Sequence, residues 1–591
     1  MKKVISNNIY MFKFLFKFSP KYILWTLFIA ICSSISSVAL IILMRYALDI
    51  FLYDSIEMFL RILIKVGVFQ IVFYILSAYY SYILSPISTQ QFQKKMYGNL
   101  FDKAVKVELS KYDDPEFFNM YTMALENSGQ RALAVLSSFM TLLTSIFSIA
   151  LLVGIVSLID MTILLFVIAS VAINFFVNLK MSKLSYELNL SKVYPRRKIA
   201  YTQRVFYLKD FAKEIRLSEI PKALISLFTN SYDDMKNLTK EYGSKQSLIS
   251  SIQSVLQVLV SIGTILYLVF KMLASSITAG TFALLFNSSN QLSSSVSSLF
   301  SVIPQFVEHS LYIEHFKKFL EIEEEPYLAI SKLDKFESLE FRDVSYCYGK
   351  NSKEAVKGLN FNIKRGEKIA IVGYNGAGKS TVAKMALDLY NPTSGNILLN
   401  GKPFKDYSQK EVQSNMGAIF QDFQLYSIPL IENILQRPII DRDADEACVA
   451  NALKRVGLYD KIMQFPQGIY TFLSKELDED GAVFSGGELQ KLAIARILAI
   501  PRQFVVLDEP SSALDAKSER ELFDTVLDEY REHTVVIISH RLSNICNMDC
   551  VMYLDNGEIY EVGTHDELMS KQGKYYELFM LQSSNYSQGI I

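Results

Sequence analysis

In its first half the chain runs through long apolar stretches without a single charged residue, separated by shorter charged segments. The uncharged runs are Tyr22–Met44, Val66–Ile87, Ala132–Ile159, Met161–Leu179, Gln246–Phe270 and Met272–Val307. A helix needs about 20 mostly apolar residues to cross a bilayer, so the pattern predicts six membrane-spanning helices rather than a large soluble bundle. Only Asp160 parts the third run from the fourth, and only Lys271 parts the fifth from the sixth. Those junctions are expected to be tight hairpins on one side of the membrane. The long connection between the fourth and fifth runs holds Lys180, Lys183, Lys192, Arg196, Arg197, Lys198 and Arg204 with fewer opposing acids. Such an excess marks the cytoplasmic side, which puts both termini in the cytoplasm. Residues up to about Ser19 are expected to form an amphipathic lead-in helix on the membrane surface. Met1-Lys2-Lys3 has the charge of a signal-peptide start, but the apolar run behind it is too long and lacks a small-residue cleavage site. The segment is therefore expected to be retained.

Beyond the acidic stretch Glu321–Asp334, which contains Pro326, the pattern changes. Short apolar runs at Lys368–Val372, Gly417–Phe420, Phe504–Leu507, Val535–Ser539 and Val551–Leu554 alternate with helical stretches. Such alternation predicts a mostly parallel α/β sheet. The expected organisation is multi-domain: an all-α six-helix transmembrane domain over residues 1–320, a linker over 321–335, and an α/β P-loop nucleotide-binding domain over 336–591. A length of 591 residues fits several cores better than one. Lys plus Arg equal Asp plus Glu at 60 each, so bulk charge draws the chain toward no nucleic acid. Cys32, Cys347, Cys448, Cys546 and Cys550 show no CxxC spacing and read as reduced structural thiols.

The chemistry is concentrated in the second half. Gly373-Tyr374-Asn375-Gly376-Ala377-Gly378-Lys379-Ser380-Thr381 fits G-x-x-x-x-G-K-[ST], with an apolar strand before it and a helical pattern after it. Glycines let backbone N–H groups wrap phosphates, and the helix start adds partial positive charge. Lys379 is expected to face the β- and γ-phosphates of ATP, and Ser380 to offer its hydroxyl to Mg²⁺. A second apolar strand, Phe504–Leu507, ends in Asp508-Glu509. An acid there is placed to hold Mg²⁺, and its neighbour to polarise an attacking water.

With these two elements the sequence resembles the ATP-binding cassette family, and further segments follow in that family's order. Phe484-Ser485-Gly486-Gly487-Glu488 is similar to the signature, Phe420-Gln421-Asp422 to the glutamine loop, Ser512-Ala513-Leu514-Asp515 to the aspartate loop and Ser539-His540-Arg541 to the histidine switch. Tyr348 is similar to the aromatic residue that stacks on adenine. The resemblance implies catalytic roles for Glu509, His540 and Gln421, with Gln421 also near the metal. It implies ATP sandwiched between the phosphate loop of one cassette and Ser485, Gly486 and Gly487 of another, with Asp515 beside it. A second half-transporter, identical or different, follows as partner. Phe484 and Glu488 depart from the commonest signature, which has Leu and Gln at those positions. A carboxylate at Glu488 could weaken the contact with ATP in the partner's site, but Ser485-Gly486-Gly487 stay intact and the signature is expected to be functional.

Six crossings ahead of a cassette resemble the exporter architecture in the cell membrane of a bacterium, with the cassette in the cytoplasm. The resemblance implies short transverse helices in the cytoplasmic loops, around Tyr112–Met120 and Asp210–Pro221. The fifth and sixth runs carry uncharged polar residues, including Ser247, Gln253, Gln257 and Asn287 through Ser298. These serve either to glue helices together or to line a hydrated cavity. The segments Tyr112-Asp-Asp-Pro-Glu-Phe-Phe118 and Glu476-Leu-Asp-Glu-Asp480-Gly481 are similar to bacterial peptide (lantibiotic-type) exporters. The expected cargo is an amphipathic peptide, a lipid-like molecule or a drug, and the protein is not expected to process a peptide itself. An exporter-fold importer and a nucleotide-gated channel are the competing readings; an intact Glu509 counts against the channel.

Overall fold

The structure, a computed structural model, describes residues 2–53, 56–324, 327–328, 330–349, 353–510 and 516–587. Pro326 and the aspartate-loop residues Ser512, Ala513, Leu514 and Asp515 lie outside the described residues. The chain divides into two compact units, residues 1–104 with 119–322, and residues 105–118 with 323–591.

The apolar runs of the first unit form long helices, because a buried or lipid-facing backbone must satisfy its hydrogen bonds internally. In order they are α1 (Lys2–Phe18), α2 (Pro20–Tyr53), α3 (Ile56–Tyr79), α4 (Ser85–Lys106), α5 (Pro115–Ile159), α6 (Ile163–Ser191), α7 (Val193–Tyr207), α8 (Ala212–Leu217), α9 (Ile220–Leu273) and α10 (Ala279–Leu320). A π-helical turn, Tyr80–Leu84, joins α3 to α4. Pro20–Ile50, Ile56–Lys106, Leu133–Ile159, Ile163–Ser191 and Ile220–Leu273 are long and apolar enough to cross a membrane. The sixth expected crossing falls in α10, a helix of 42 residues whose Ser- and Asn-rich stretch makes it more polar than those five. It begins later than its apolar run. Thr278 caps it by accepting from the Thr281 N–H, and the buried Asp49 carboxylate accepts from Gly280 N at 2.8 Å and Thr278 Oγ1 at 2.9 Å. A Cβ on Gly280 would lie 2.2 Å from the Arg45 carbonyl oxygen, so this helix start admits no side chain. The amphipathic α1 rides on α10: Asn7 Nδ2 donates to Ser310 Oγ at 3.0 Å and Asn8 Nδ2 to the Phe306 carbonyl at 2.8 Å.

The polar residues of α9 act as glue. Gln253 Nε2 donates to Asn174 Oδ1 at 2.7 Å, Gln246 Nε2 to Ser185 Oγ at 3.0 Å, and Gln257 to Ser170, all on α6. In α10, Ser288, Ser289, Ser293 and Ser295 are buried. The cavity of this unit lies elsewhere. About 730 Å³ opens between α6–α7 and the second half of α10, and neither polar run lines it.

Among the described residues the second unit holds ten strands: β1 (Ser338–Cys347), β2 (Glu354–Lys364), β3 (Lys368–Val372), β4 (Ser394–Leu399), β5 (Lys402–Pro403), β6 (Met416–Ile419), β7 (Phe504–Asp508), β8 (Thr534–Ile538), β9 (Cys550–Asp555) and β10 (Glu558–Gly563). An antiparallel sheet runs β2-β1-β4-β5, and a six-stranded sheet runs β10-β9-β3-β8-β7-β6. In the latter, β9, β3, β8, β7 and β6 pair in parallel, and β10 closes one edge antiparallel. β7 and β8 are buried at every position, which is why their sequences are unbroken apolar runs rather than alternating ones. Residues 105–118, between α4 and the body of α5, pack with this unit: Tyr390 donates its hydroxyl to Asp113 Oδ2 at 2.8 Å. Turns of 3-10 helix at Leu109–Asp113 and Lys209–Phe211, the latter running into α8, stand where short transverse helices were expected.

Candidate nucleotide site

The site forms where parallel strands end and helices begin, the usual crevice for a ligand in an open α/β sheet. β3 ends at Val372, the phosphate loop follows, and a helix starts at Lys379. The loop backbone requires glycine. Gly378 has φ 99°, and a Cβ there would lie 2.5 Å from the Ala355 carbonyl oxygen. Gly373 has φ 150°, and its Cβ would lie 2.1 Å from the Leu554 carbonyl oxygen. The loop is thus pinned from both sides by backbone.

A cleft of about 470 Å³ is lined by Tyr348, Asn375, Gly376, Gly378, Lys379, Ser380, Thr381, Gln421, Glu509 and His540. Lys379 is buried, and its Nζ donates to the carbonyls of Gly373 and Tyr374, at 2.9 Å each. Burial holds its ammonium below the usual lysine range, so an anion in the cleft would find a cation already stripped of water. Tyr348 and Thr381 share a hydroxyl hydrogen bond of 2.9 Å. The Tyr348 ring meets Tyr346 and Tyr390 edge-on, at 5.1 and 5.7 Å between centroids.

β7 delivers two acids with different surroundings. Asp508 is buried, and burial raises its carboxyl above the usual range although the Ser380 hydroxyl bonds to it. Among the described residues its Oδ1 is buried without a hydrogen-bond partner. A buried, unsatisfied carboxylate oxygen beside a serine hydroxyl and facing a phosphate cradle fits a hard divalent cation such as Mg²⁺. Glu509 turns the other way. Its backbone sits at φ 49°, a region non-glycine residues seldom adopt and one that concentrates at functional sites. Its carboxylate is held from both sides: Gln421 Nε2 donates to Oε2 at 3.0 Å, and His540 Nε2 lies 2.6 Å from Oε1.

Sequence-predicted residues from five separate segments therefore converge on one cleft. Gly373, Tyr374 and Ala377 belong to the same loop; Tyr374 and Gly373 also border a smaller cavity behind it. Ser485, Gly486 and Gly487 stand apart, since among the described residues they do not line the cleft. Ser485 instead caps the helix Gly486–Ala499, with Glu488 as the reciprocal member of a capping box. Glu488 Oε2 accepts from Ser485 N at 2.9 Å and Ser485 Oγ at 3.0 Å, and Oε1 pairs with Lys461 Nζ at 2.6 Å. Lys461 holds the Glu488 carboxyl below the usual range, helped by the Ser485 N–H. The charge of Glu488 is already engaged by a lysine and two Ser485 donors, which counts against a weakened contact with ATP. Two contributors gave no signal in the sequence. Tyr390 stacks on Tyr346 at 5.1 Å behind Tyr348, and Gln582 contacts the backbone of the His540 turn.

A phosphate loop, an acid pair at a strand end and a capped glycine-rich helix, following a unit of membrane-length helices, define a nucleotide-binding cassette with a membrane portion. Residues 356–512 match the family profile described as "ABC transporter", and this segment is an ATP-binding domain of that family. The chain is 34% identical to the putative multidrug export ATP-binding/permease protein YgaD of Bacillus subtilis over 248 residues, 42% of this chain and 41% of that protein. It is 28% identical to the subtilin transport ATP-binding protein SpaT of Bacillus subtilis over 510 residues, 83% of this chain and 80% of that protein. A solved bacterial Atm1-family ABC exporter with ATP bound shares the fold, with a TM-score of 0.80, 20% identity and coverage of 95% of this chain and 99% of that one.

Proposed function

We propose that the protein is one half of an ATP-driven exporter, working as a dimer in a bacterial cell membrane. The observation that carries this reading is the cleft in which Glu509 is fixed between Gln421 and His540, opposite the buried Lys379. A gate that only bound nucleotide would not need a general base so constrained.

In this reading Lys379 and the loop N–H groups hold the β- and γ-phosphates, and Tyr348 stacks on the adenine. Glu509 accepts the proton of the attacking water. His540 and Gln421 fix which carboxylate lone pair faces that water. Ser380, Asp508 and Gln421 would hold Mg²⁺, whose charge screens the phosphate oxygens. Ser485, Gly486 and Gly487 complete the site of the partner subunit, with Asp515 beside them. The functional division at residues 1–320, 321–335 and 336–591 belongs to the same reading.

The cargo is an amphipathic molecule, a peptide in the first instance. Support comes from the membrane unit's cavity. Asn178, Ser182, Ser185 and Asn189 lie along one wall at helical spacing, while Phe175, Phe300, Ile303 and Val307 give it apolar surface. Amide and hydroxyl groups suit a peptide backbone and aromatic walls suit its apolar side chains. Drugs and lipids are the runner-up cargo. The test uses the full protein in vesicles. ATP-dependent accumulation of an amphipathic peptide inside inside-out vesicles, with peptide-stimulated ATPase, is expected. Accumulation only in right-side-out vesicles would make it an importer, and ATP-independent flux a channel.

A further inference from the structure

We propose that Gln582, in the C-terminal helix Lys574–Ser587, is a positioning residue for ATP hydrolysis. It sets the backbone turn that carries His540, and through His540 the carboxylate of Glu509. The inference rests on the reading of Glu509 and His540 given above.

His540 follows β8 on a surface turn. Ser539 Oγ accepts from Arg541 N at 2.9 Å, and Arg541 pairs with Glu519. Ser539 Oγ, which also donates to the Arg541 carbonyl at 3.2 Å, holds the two peptides of the turn from inside, but neither contact ties the turn to the C-terminal helix. Gln582 does so with one planar amide: Nε2 donates to the His540 carbonyl at 2.6 Å, and Oε1 accepts from Leu542 N at 3.1 Å. A donor and an acceptor fixed on one amide bind two backbone groups in a single register, as a neighbouring strand would. The imidazole then has only its side-chain torsions left in which to miss Glu509, 2.6 Å away.

The clamp is useful only if the glutamine itself is fixed, and the helix that carries it is fastened at its start. Glu561 of β10 accepts from Lys574 N at 2.7 Å and Tyr575 N at 3.2 Å, and Lys574 Nζ pairs with Asp555 of β9 at 2.6 Å. Tyr575 is fully buried and shares a 2.8 Å hydrogen bond with His565 Nδ1. Gln582 lies two turns further along that anchored helix. A cavity of about 220 Å³ lies between the helix, the phosphate loop and the histidine turn. Gln582 bonds the His540 turn and does not line the nucleotide cleft, so the inferred role concerns the water-orienting side of the site and not nucleotide affinity.

The experiment uses the full-length protein in nanodiscs, with Gln582→Leu, Gln582→Ala and His540→Ala. Gln582→Leu keeps bulk and removes both hydrogen bonds. Misplacing a catalytic group by about an ångström costs up to about 100-fold, so a fall in kcat of about 10-fold to 100-fold is expected, with KM for ATP within about twofold. Amide exchange should quicken in the segment 540–545 without nucleotide, with an unchanged melting temperature. Gln582→Ala should behave alike, and serves if the leucine variant misfolds. Wild-type kcat in both variants while His540→Ala is inactive would overturn the positioning role alone. A rise in KM equal to the loss in kcat, or a loss of stability in both variants, would make Gln582 merely structural. Full turnover in His540→Ala would sink the reading beneath it as well.

Discussion

Two neighbouring carboxylates at the end of β7 divide the work through their surroundings. Asp508 is buried and under-satisfied; Glu509 is turned outward by a left-handed backbone and bracketed by two side chains. Glu509→Gln keeps size but removes the proton acceptor, and one face of its amide would then meet a donor. Turnover should fall about 10²–10⁴-fold while ATP binding persists, the usual loss for a general base. Single-turnover hydrolysis and nucleotide-binding assays check both halves, and near-normal turnover would refute the assignment. Lys379→Ala removes the one buried cation of the loop, so both ATP affinity and turnover should collapse; an unchanged pair of constants would contradict the phosphate-loop reading. At the signature the expected outcome is a small effect. In Glu488→Gln the amide oxygen still accepts from Ser485 N, and only the half-exposed Lys461 pair is lost. Exposed pairs contribute at most about 1 kcal/mol, so KM for ATP should move less than about fivefold; a larger gain in affinity would restore the view that the carboxylate repels ATP.

At the scale of elements, the segment between α4 and α5 is the informative piece. The 3-10 turn Leu109–Asp113 packs with the cassette through Tyr390, whose ring stacks on Tyr346 and meets Tyr348 edge-on. Burial and the neighbouring Asp113 push the Tyr390 phenol well up, so it stays a neutral donor at any working pH. That chain of aromatic rings links the residue proposed to stack on adenine to a loop continuous with α4 and α5. Tyr390→Phe keeps the stack and removes only the hydrogen bond, a loss of about 1 kcal/mol. Basal ATPase should survive, while stimulation by cargo should fall by half or more; full stimulation would mean that the hydrogen bond transmits nothing. The phosphate loop, the buried strands and the acid pair are legible in the sequence because each is dictated locally: Gly373 and Gly378 by backbone conformation, β7 and β8 by burial on both faces. Tyr390 and Gln582 act through partners 277 and 42 residues away, and no local pattern encodes such a meeting. The polar residues of α9 were ambiguous for a related reason. Serine and glutamine suit a cavity wall and a helix seam equally well, and only the pairing with Asn174 and Ser170 decides for the seam.

For the whole molecule the central observation is a separation. The phosphate loop and Glu509 line one cleft, and outside it Ser485 caps a different helix that begins with Gly486 and Gly487. A glycine-rich helix start turns backbone N–H groups toward an anion, yet it stands outside the cleft that holds this chain's own phosphate loop. A second chain resolves this if each signature closes over the other chain's loop. Ser485→Arg should then block hydrolysis although Ser485 lies in no phosphate loop. The bulky cation obstructs closure over the partner's γ-phosphate, while ATP still binds the open cassette. The decisive sample is a mixed dimer, one chain carrying Ser485→Arg and the other Lys379→Ala. Both lesions then fall in the same composite site, and the opposite site keeps an intact loop from the first chain and an intact signature from the second. Residual hydrolysis is expected in the mixed dimer and in neither mutant homodimer. If Ser485→Arg homodimers hydrolyse ATP at the wild-type rate, each chain completes its own site and the two-chain sandwich is wrong for this protein.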